Sequence, residues 1–181
     1  MNSELIACLP EQMKRIVVYN KIDLANEKKS VEIMKKIAGD QEWIHTSTKE
    51  NININRLVKR LSDQCPTRFR TVGAWVMIGG MPNIGKSTII NTLRKRDAEI
   101  SSRASSKSGA KAGAKPCLTK SISGFRIVTD PPMYLVDTPG IMAPKIREES
   151  EDGLKLAACH SIRDGILDDE HICDYILFKL N

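Results

Sequence analysis

The eight residues Gly80-Met81-Pro82-Asn83-Ile84-Gly85-Lys86-Ser87 constrain this chain more than any other feature. They fit G-x-x-x-x-G-K-[ST], a loop whose glycines let successive backbone N–H groups turn inward around phosphate oxygens. Such a loop needs a buried strand before it and a helix after it, because the helix N-terminus adds its positive end to the anion site. The flanks supply both. Residues 72–79 are an apolar run that reads as a central strand. A helix is expected from about Lys86 to Arg96. A glycine-rich turn that merely caps a helix is the plainer alternative, and the flanks argue against it. Lys86 would reach the β- and γ-phosphates, and the Ser87 hydroxyl would ligate Mg²⁺. Pro82, Asn83, Ile84, Gly85 and Thr88 belong to the same cradle.

The surrounding pattern is alternating. Short β-branched runs at 16–19, 43–46, 122–129 and 133–136 read as further strands. Val31, Met34, Ile37 and Ala38 fall at helical spacing, so 27–38 should be a helix, with Gly39 as its stop. Ile54, Leu57, Val58 and Leu61 mark another helix. Residues 66–70 are a polar connection, and 97–115, rich in Ser, Ala, Gly and Lys, read as a loop. The stretch 146–181 has helical patterning, with Asp168, Asp169 and Glu170 placed to start a helix. Strands alternating with helices predict an α/β fold, a mostly parallel sheet of the P-loop NTPase type flanked by helices. Hydrophobic residues are 41% of the chain but aromatics only 4%, so the core must be aliphatic.

Two more motifs follow strands. Asp137-Thr138-Pro139-Gly140 ends the strand at 133–136, where Asp137 can hold Mg²⁺ and the Gly140 N–H can sense a γ-phosphate. Asn20-Lys21-Ile22-Asp23 follows the strand at 16–19. The Asp23 carboxylate offers two acceptors to the N1–H and N2–H₂ donors of guanine, a pair that adenine lacks. Asn20 can bond the base and the Lys21 stem can cover its face. Ser47, Thr48 and Lys49 lie in a loop after the next strand, where a backbone N–H would meet guanine O6. Either short motif alone is weak; their joint occurrence is specific. A P-loop ATPase or small-molecule kinase is disfavoured by Asp23.

The order is unusual, because the base-reading motifs precede the phosphate loop. The chain therefore resembles the circularly permuted GTPases that assist ribosome assembly. The residues that carry this are 20–25, 80–88 and 135–145, and the stretches 153–159 and 174–181 favour the mitochondrial branch over the bacterial one. The resemblance implies GTP and GDP as ligands, Mg²⁺, and a GTPase acting on the large ribosomal subunit and its rRNA. It implies a mitochondrial, matrix-side location, with peripheral contact to the inner membrane, and a monomer. K⁺ near Asn83 is implied too, on equal footing with Asn83 simply shaping the loop. The family switch motif maps onto 113–119, so Thr119 would close over Mg²⁺; Cys117 replaces a glycine there. Ile141 follows Gly140 where many GTPases carry a glutamine that orients water, which implies slow intrinsic hydrolysis stimulated by the ribosome.

The resemblance also divides the chain. Residues 1–145 would be the permuted GTP-binding domain, with a guanine-reading half (1–65) and a phosphate and Mg²⁺ half (72–145), and 146–181 would begin a helical region. Family members carry an earlier strand, ending in Asp-Ala-Arg, between the phosphate-loop strand and the N-K-x-D strand. It is not found in this sequence, so a sheet interrupted at its centre is expected, with a truncated, catalytically inactive ribosome- or rRNA-binding module as the alternative function.

Other features discriminate less. The net charge of +6 is a mild bias toward polyanions, and the basic residues from Arg94 to Lys120 suit either rRNA phosphates or a soluble loop. Five cysteines show no C-x-x-C spacing, which argues for separate thiols. Trp43 and Trp75 read as packing residues. No apolar run is long enough for a membrane helix, and the first residues have neither a secretory signal nor an Arg-rich presequence pattern.

Overall fold

The computed structural model describes residues 13–65, 73–101, 123–140, 150–162 and 167–181. Strand β1 (Val17–Tyr19) leads through a one-turn 3-10 helix (Ile22–Leu24) to helix α1 (Glu27–Ala38). Strand β2 (Trp43–His45) and helix α2 (Ile54–Gln64) follow. The second half runs β3 (Ala74–Ile78), α3 (Lys86–Ser101), β4 (Ser123–Val128) and β5 (Met133–Asp137). Helices α4 (Glu151–Ala158) and α5 (Asp169–Leu180) close the chain.

Local chemistry sets these boundaries. The Asn26 side chain accepts from the Lys29 N–H and caps α1, while Lys35 and Lys36 sit in its last turn, where the helix end is negative. Gly39 ends it with φ 55°. At the start of α2, Asn53 takes a left-handed conformation and donates its Nδ2 to the His45 carbonyl at 3.1 Å, which ties the helix to the end of β2.

The strands form two sheets. β1 and β2 pair in parallel. β3 pairs in parallel with β5, and β4 pairs antiparallel with the other edge of β5. No ladder joins the sheets among the described residues. They share one core nonetheless. Ile44, Ile54, Leu57 and Val58 from the first half pack in the same cluster as Ile89, Ile90, Leu93, Ile127, Met133 and Leu135 from the second. Each such buried aliphatic side chain contributes roughly 1.5–3 kcal/mol of transfer free energy. The core is aliphatic, as the composition required.

Three expectations change. β3 is not central among the described residues, because it pairs along one edge only. Its side chains alternate: Ala74, Val76 and Ile78 face the core, whereas Trp75 and Met77 point away and are 64% and 57% exposed. Trp75 instead stacks on Tyr134 at 4.9 Å, so its packing is on the surface. Helix α3 runs on to Ser101, past the expected end at Arg96, since Asp97 is anchored: it accepts from both the N–H (2.9 Å) and the hydroxyl (2.8 Å) of Thr129. Ile37, expected on the inner stripe of α1, is 70% exposed, and only Ala38 of that helix is buried. The 102–115 part of the expected loop, the 66–70 connection, Cys117, Thr119 and Ile141 lie outside the described residues.

Candidate functional site

The C-terminal ends of β1, β2, β3 and β5 gather the sequence motifs, as an open α/β sheet places its ligand crevice there. Gly80 and Gly85 take φ 149° and 95°, and Asn83 takes φ 58°, so the loop turns sharply between β3 and α3. A side chain at Gly85 would stand 2.4 Å from Asn20 Nδ2, so only glycine lets the two loops meet. They do meet. Asn20 Nδ2 donates to the Ile84 carbonyl at 3.0 Å, and Lys21 Nζ donates to the Asn83 carbonyl at 2.7 Å. The base-reading loop thereby braces the phosphate loop although the two sheets share no ladder.

The base side is fixed locally. Ser47, fully buried, donates its hydroxyl to Asp23 Oδ1 at 2.6 Å. The Ser47 oxygen in turn accepts the Glu50 N–H at 3.1 Å. Thr46, also fully buried, donates to Asn20 Oδ1 at 3.2 Å. An Asn20 amide that gives its N–H to Ile84 and takes the Thr46 hydroxyl on its oxygen has one orientation only. In the sequence Thr46 ends a strand and opens the Thr46-Ser47-Thr48-Lys49 motif; its bond to Asn20 is what the structure adds. Thr48 and Lys49 line a different space, a cleft of about 640 Å³ between that loop and α3 that also includes Thr92, Lys95 and Arg96.

On the phosphate side, Lys86 is 7% exposed and donates to the carbonyls of Gly80 (3.0 Å) and Met81 (2.8 Å), which holds its ammonium over the loop. Ser87 Oγ donates to Asp137 Oδ2 at 2.9 Å, and Asp137 is 1% exposed. A hydroxyl and a buried carboxylate side by side are hard oxygen donors suited to Mg²⁺, which keeps several of its own waters. Thr138 donates to the Ile78 carbonyl at 2.7 Å, tying D-x-x-G to the end of β3. Gly140 lies against Pro82; a Cβ there would be 2.6 Å from the Pro82 ring. Thr88 is exposed at the start of α3, and its carbonyl accepts the Thr92 hydroxyl at 2.9 Å. Thr119 lies outside the described residues. No cluster of three or more His, Cys, Asp or Glu side chains that would hold a metal occurs among the described residues.

With this geometry in place, comparison with known proteins is decisive. Residues 75–178 match the family described as 50S ribosome-binding GTPase. The chain belongs to that family. The matched span begins within β3, and Asn20-Lys21-Ile22-Asp23 lies before it in the chain. Whole-chain relatives cover that half too. Mitochondrial ribosome-associated GTPase 1 of Mus musculus is 32% identical over 174 residues, 92% of this chain and 51% of the relative. The protein of the same name from Xenopus tropicalis is 33% identical, with 92% and 54% covered. Mitochondrial GTPase 1 of Schizosaccharomyces pombe is 35% identical, with 92% and 56% covered. The chain thus spans about half the length of the relatives it matches.

Proposed function

We propose that this member of the 50S ribosome-binding GTPase family binds GTP and GDP with Mg²⁺, hydrolyses GTP slowly, and serves assembly of the large mitochondrial ribosomal subunit. The observation that carries the reading is the joint bracing of the cradle. Asp23 is oriented by Ser47, while Asn20 and Lys21 hold the phosphate loop through Ile84 and Asn83. Guanine recognition and phosphate binding then belong to one site. Thr48 and Lys49 would contribute backbone and stem to the base side.

Ser87, Asp137 and Thr119 would hold Mg²⁺, which when bound neutralises developing charge on the β- and γ-phosphates. Lys86 would stabilise the same charge directly, and the Gly140 N–H would sense the γ-phosphate. Asn83 would either help hold K⁺ or simply shape the loop, the role its bond to the His160 carbonyl already fills. Ile141 offers no polar group to orient water, so a partner that orders the switches or supplies a group would raise the rate by about 10³ to 10⁵. The names of the relatives support the ribosome and mitochondrial parts of the proposal. Matrix-side location, peripheral contact with the inner membrane and a monomeric state follow the resemblance. Residues 1–145 would act as the GTP-binding domain and 146–181 as the start of a helical one.

A second reading, a non-catalytic ribosome- or rRNA-binding module, is favoured by one observation: the two sheets share no ladder among the described residues. Titration with fluorescent GDP and ADP in Mg²⁺ separates the two. Selective GDP binding is expected. Failure to bind either nucleotide would remove the first reading and leave the second. GTP turnover, expected to be slow alone and faster with purified large subunits, then tests hydrolysis; fast unstimulated turnover would refute the partner dependence.

A further inference from the structure

The base-reading loop is not the only segment that holds the phosphate loop. Helix α4 ends in a turn that reaches it. The Ser161 N–H donates to the Leu156 carbonyl at 2.8 Å and the His160 N–H donates to the Ala157 carbonyl at 2.8 Å, a paired closure that needs a left-handed residue at His160. His160 has φ 51°. Glycine is the ordinary occupant of such a position, and a residue with a Cβ carries a cost there. The imidazole is exposed, so it gains no burial in exchange. What the conformation delivers is the backbone. Asn83 Nδ2 donates to the His160 carbonyl at 2.6 Å. Ser161, 3% exposed, donates its hydroxyl to the Pro82 carbonyl at 3.3 Å.

From these contacts we infer that the His160–Ser161 turn is a positioning element of the nucleotide site, which makes nucleotide affinity depend on the α4–α5 hairpin. The inference rests on the GTP-binding reading above. Pro82 and Asn83 lie at the crest of the loop, and Asn83 holds a left-handed conformation of its own. Two consecutive residues of the loop are thus tied to two consecutive residues of the turn. Helices α4 and α5 pack around a small cluster of their own, Ala157, Ile162 and Leu167 with Leu154, Leu156 and Ile172, which makes them a packing unit distinct from the main core. A displacement of that unit withdraws both ties together. The phosphate loop then keeps its brace from Asn20 and Lys21 but loses the one on its other side.

The test measures release of fluorescent GDP from the full chain in Mg²⁺, alongside thermal melting of the nucleotide-free protein. His160→Val keeps the carbonyl but puts a β-branched residue where positive φ is strongly disfavoured. His160→Gly keeps the carbonyl and relieves the turn. Both remove the imidazole. His160→Val should release GDP faster, by up to about 30-fold, while His160→Gly releases it no faster than wild type. Ser161→Ala, which leaves the turn intact, should speed release by roughly 2- to 10-fold. Melting of the nucleotide-free His160→Gly and Ser161→Ala variants should stay close to wild type. Equal loosening by Gly and Val would overturn the inference, because the side chain would then be responsible. Unchanged release from Ser161→Ala and His160→Val would overturn it as well. Wild-type protein that binds no GDP would sink the GTP-binding reading itself, an outcome distinct from wild-type binding with insensitive variants.

Discussion

The half that carries Asn20 to Ser47 and the half that carries the glycine-rich loop are braced in different ways. In the first, Asn20, Asp23, Thr46 and Ser47 settle one another within a single strand–helix–strand unit. In the second, the loop from Gly80 to Lys86 is held largely from outside its own sheet, by Asn20 and Lys21 on one side and by His160 and Ser161 on the other. A base reader presents a fixed donor and acceptor pattern, so local rigidity suits it. A phosphate loop must wrap a charged group with backbone N–H groups, and a glycine-containing loop does that only while something else restrains it.

The contrast can be broken by substitution. The largest effect is expected from Leu93→Ala, because fully buried Leu93 sits in the core shared by both halves. It should destabilise the protein by about 2–5 kcal/mol. Trp43 reports on the first half and Trp75 on the second, so site-resolved melting reads each separately. A single shared transition is expected, and two separate transitions would mean the halves fold independently.

Lys86→Met should come next. Removing a charge-assisted contact to phosphate costs about 1.5–3 kcal/mol, or roughly 10- to 100-fold in GTP affinity. Inosine and guanine nucleotides should weaken alike, as calorimetry would show. Asp23→Asn should do the reverse, weakening guanine and favouring xanthine nucleotides with the phosphate contacts intact. Unchanged guanine preference would remove Asp23 from the base site. Asn20→Ala touches both halves at once, and a loss of about 0.5–1.5 kcal/mol in GDP affinity is expected. An effect on base selectivity with none on release rate would show that its bond to Ile84 carries little.

The smallest effect concerns pH. Hydrogen bonds from Lys179 first and Lys155 next hold the Glu151 carboxyl below its ordinary value; the Lys179 bond links α5 to α4, and the Lys155 bond lies within α4. A depressed carboxylate contributes stability above its unfolded pKa and loses it as pH falls through the folded one. Hydrogen exchange of the α5 amides should therefore quicken as pH drops into the acid range below the normal carboxylate value, after correction for intrinsic rates. Exposure and salt screening keep the effect slight. Glu151→Gln should abolish the pH dependence.

The sequence by itself determined the α/β alternation and the positions of most strands and helices. Periodicity set α1 and α2, and the motifs singled out Asn20, Asp23, Lys86, Ser87 and Asp137, which the fold brings to the C-terminal ends of the strands. These are local properties: a strand needs its apolar run, and a phosphate loop needs its glycines in a short span. The tertiary structure alone decided the rest. An apolar strand reads as central whether or not both edges are paired, so the exposure of Trp75 and Met77 was invisible to pattern. Asp97 lies within α3, where its carboxylate binds Thr129. Thr46 orients Asn20, and Ser161 reaches Pro82, through contacts between residues far apart in the chain. Hydrogen bonds of that kind depend on where folding brings two polar groups together, and spacing along the chain carries no trace of them.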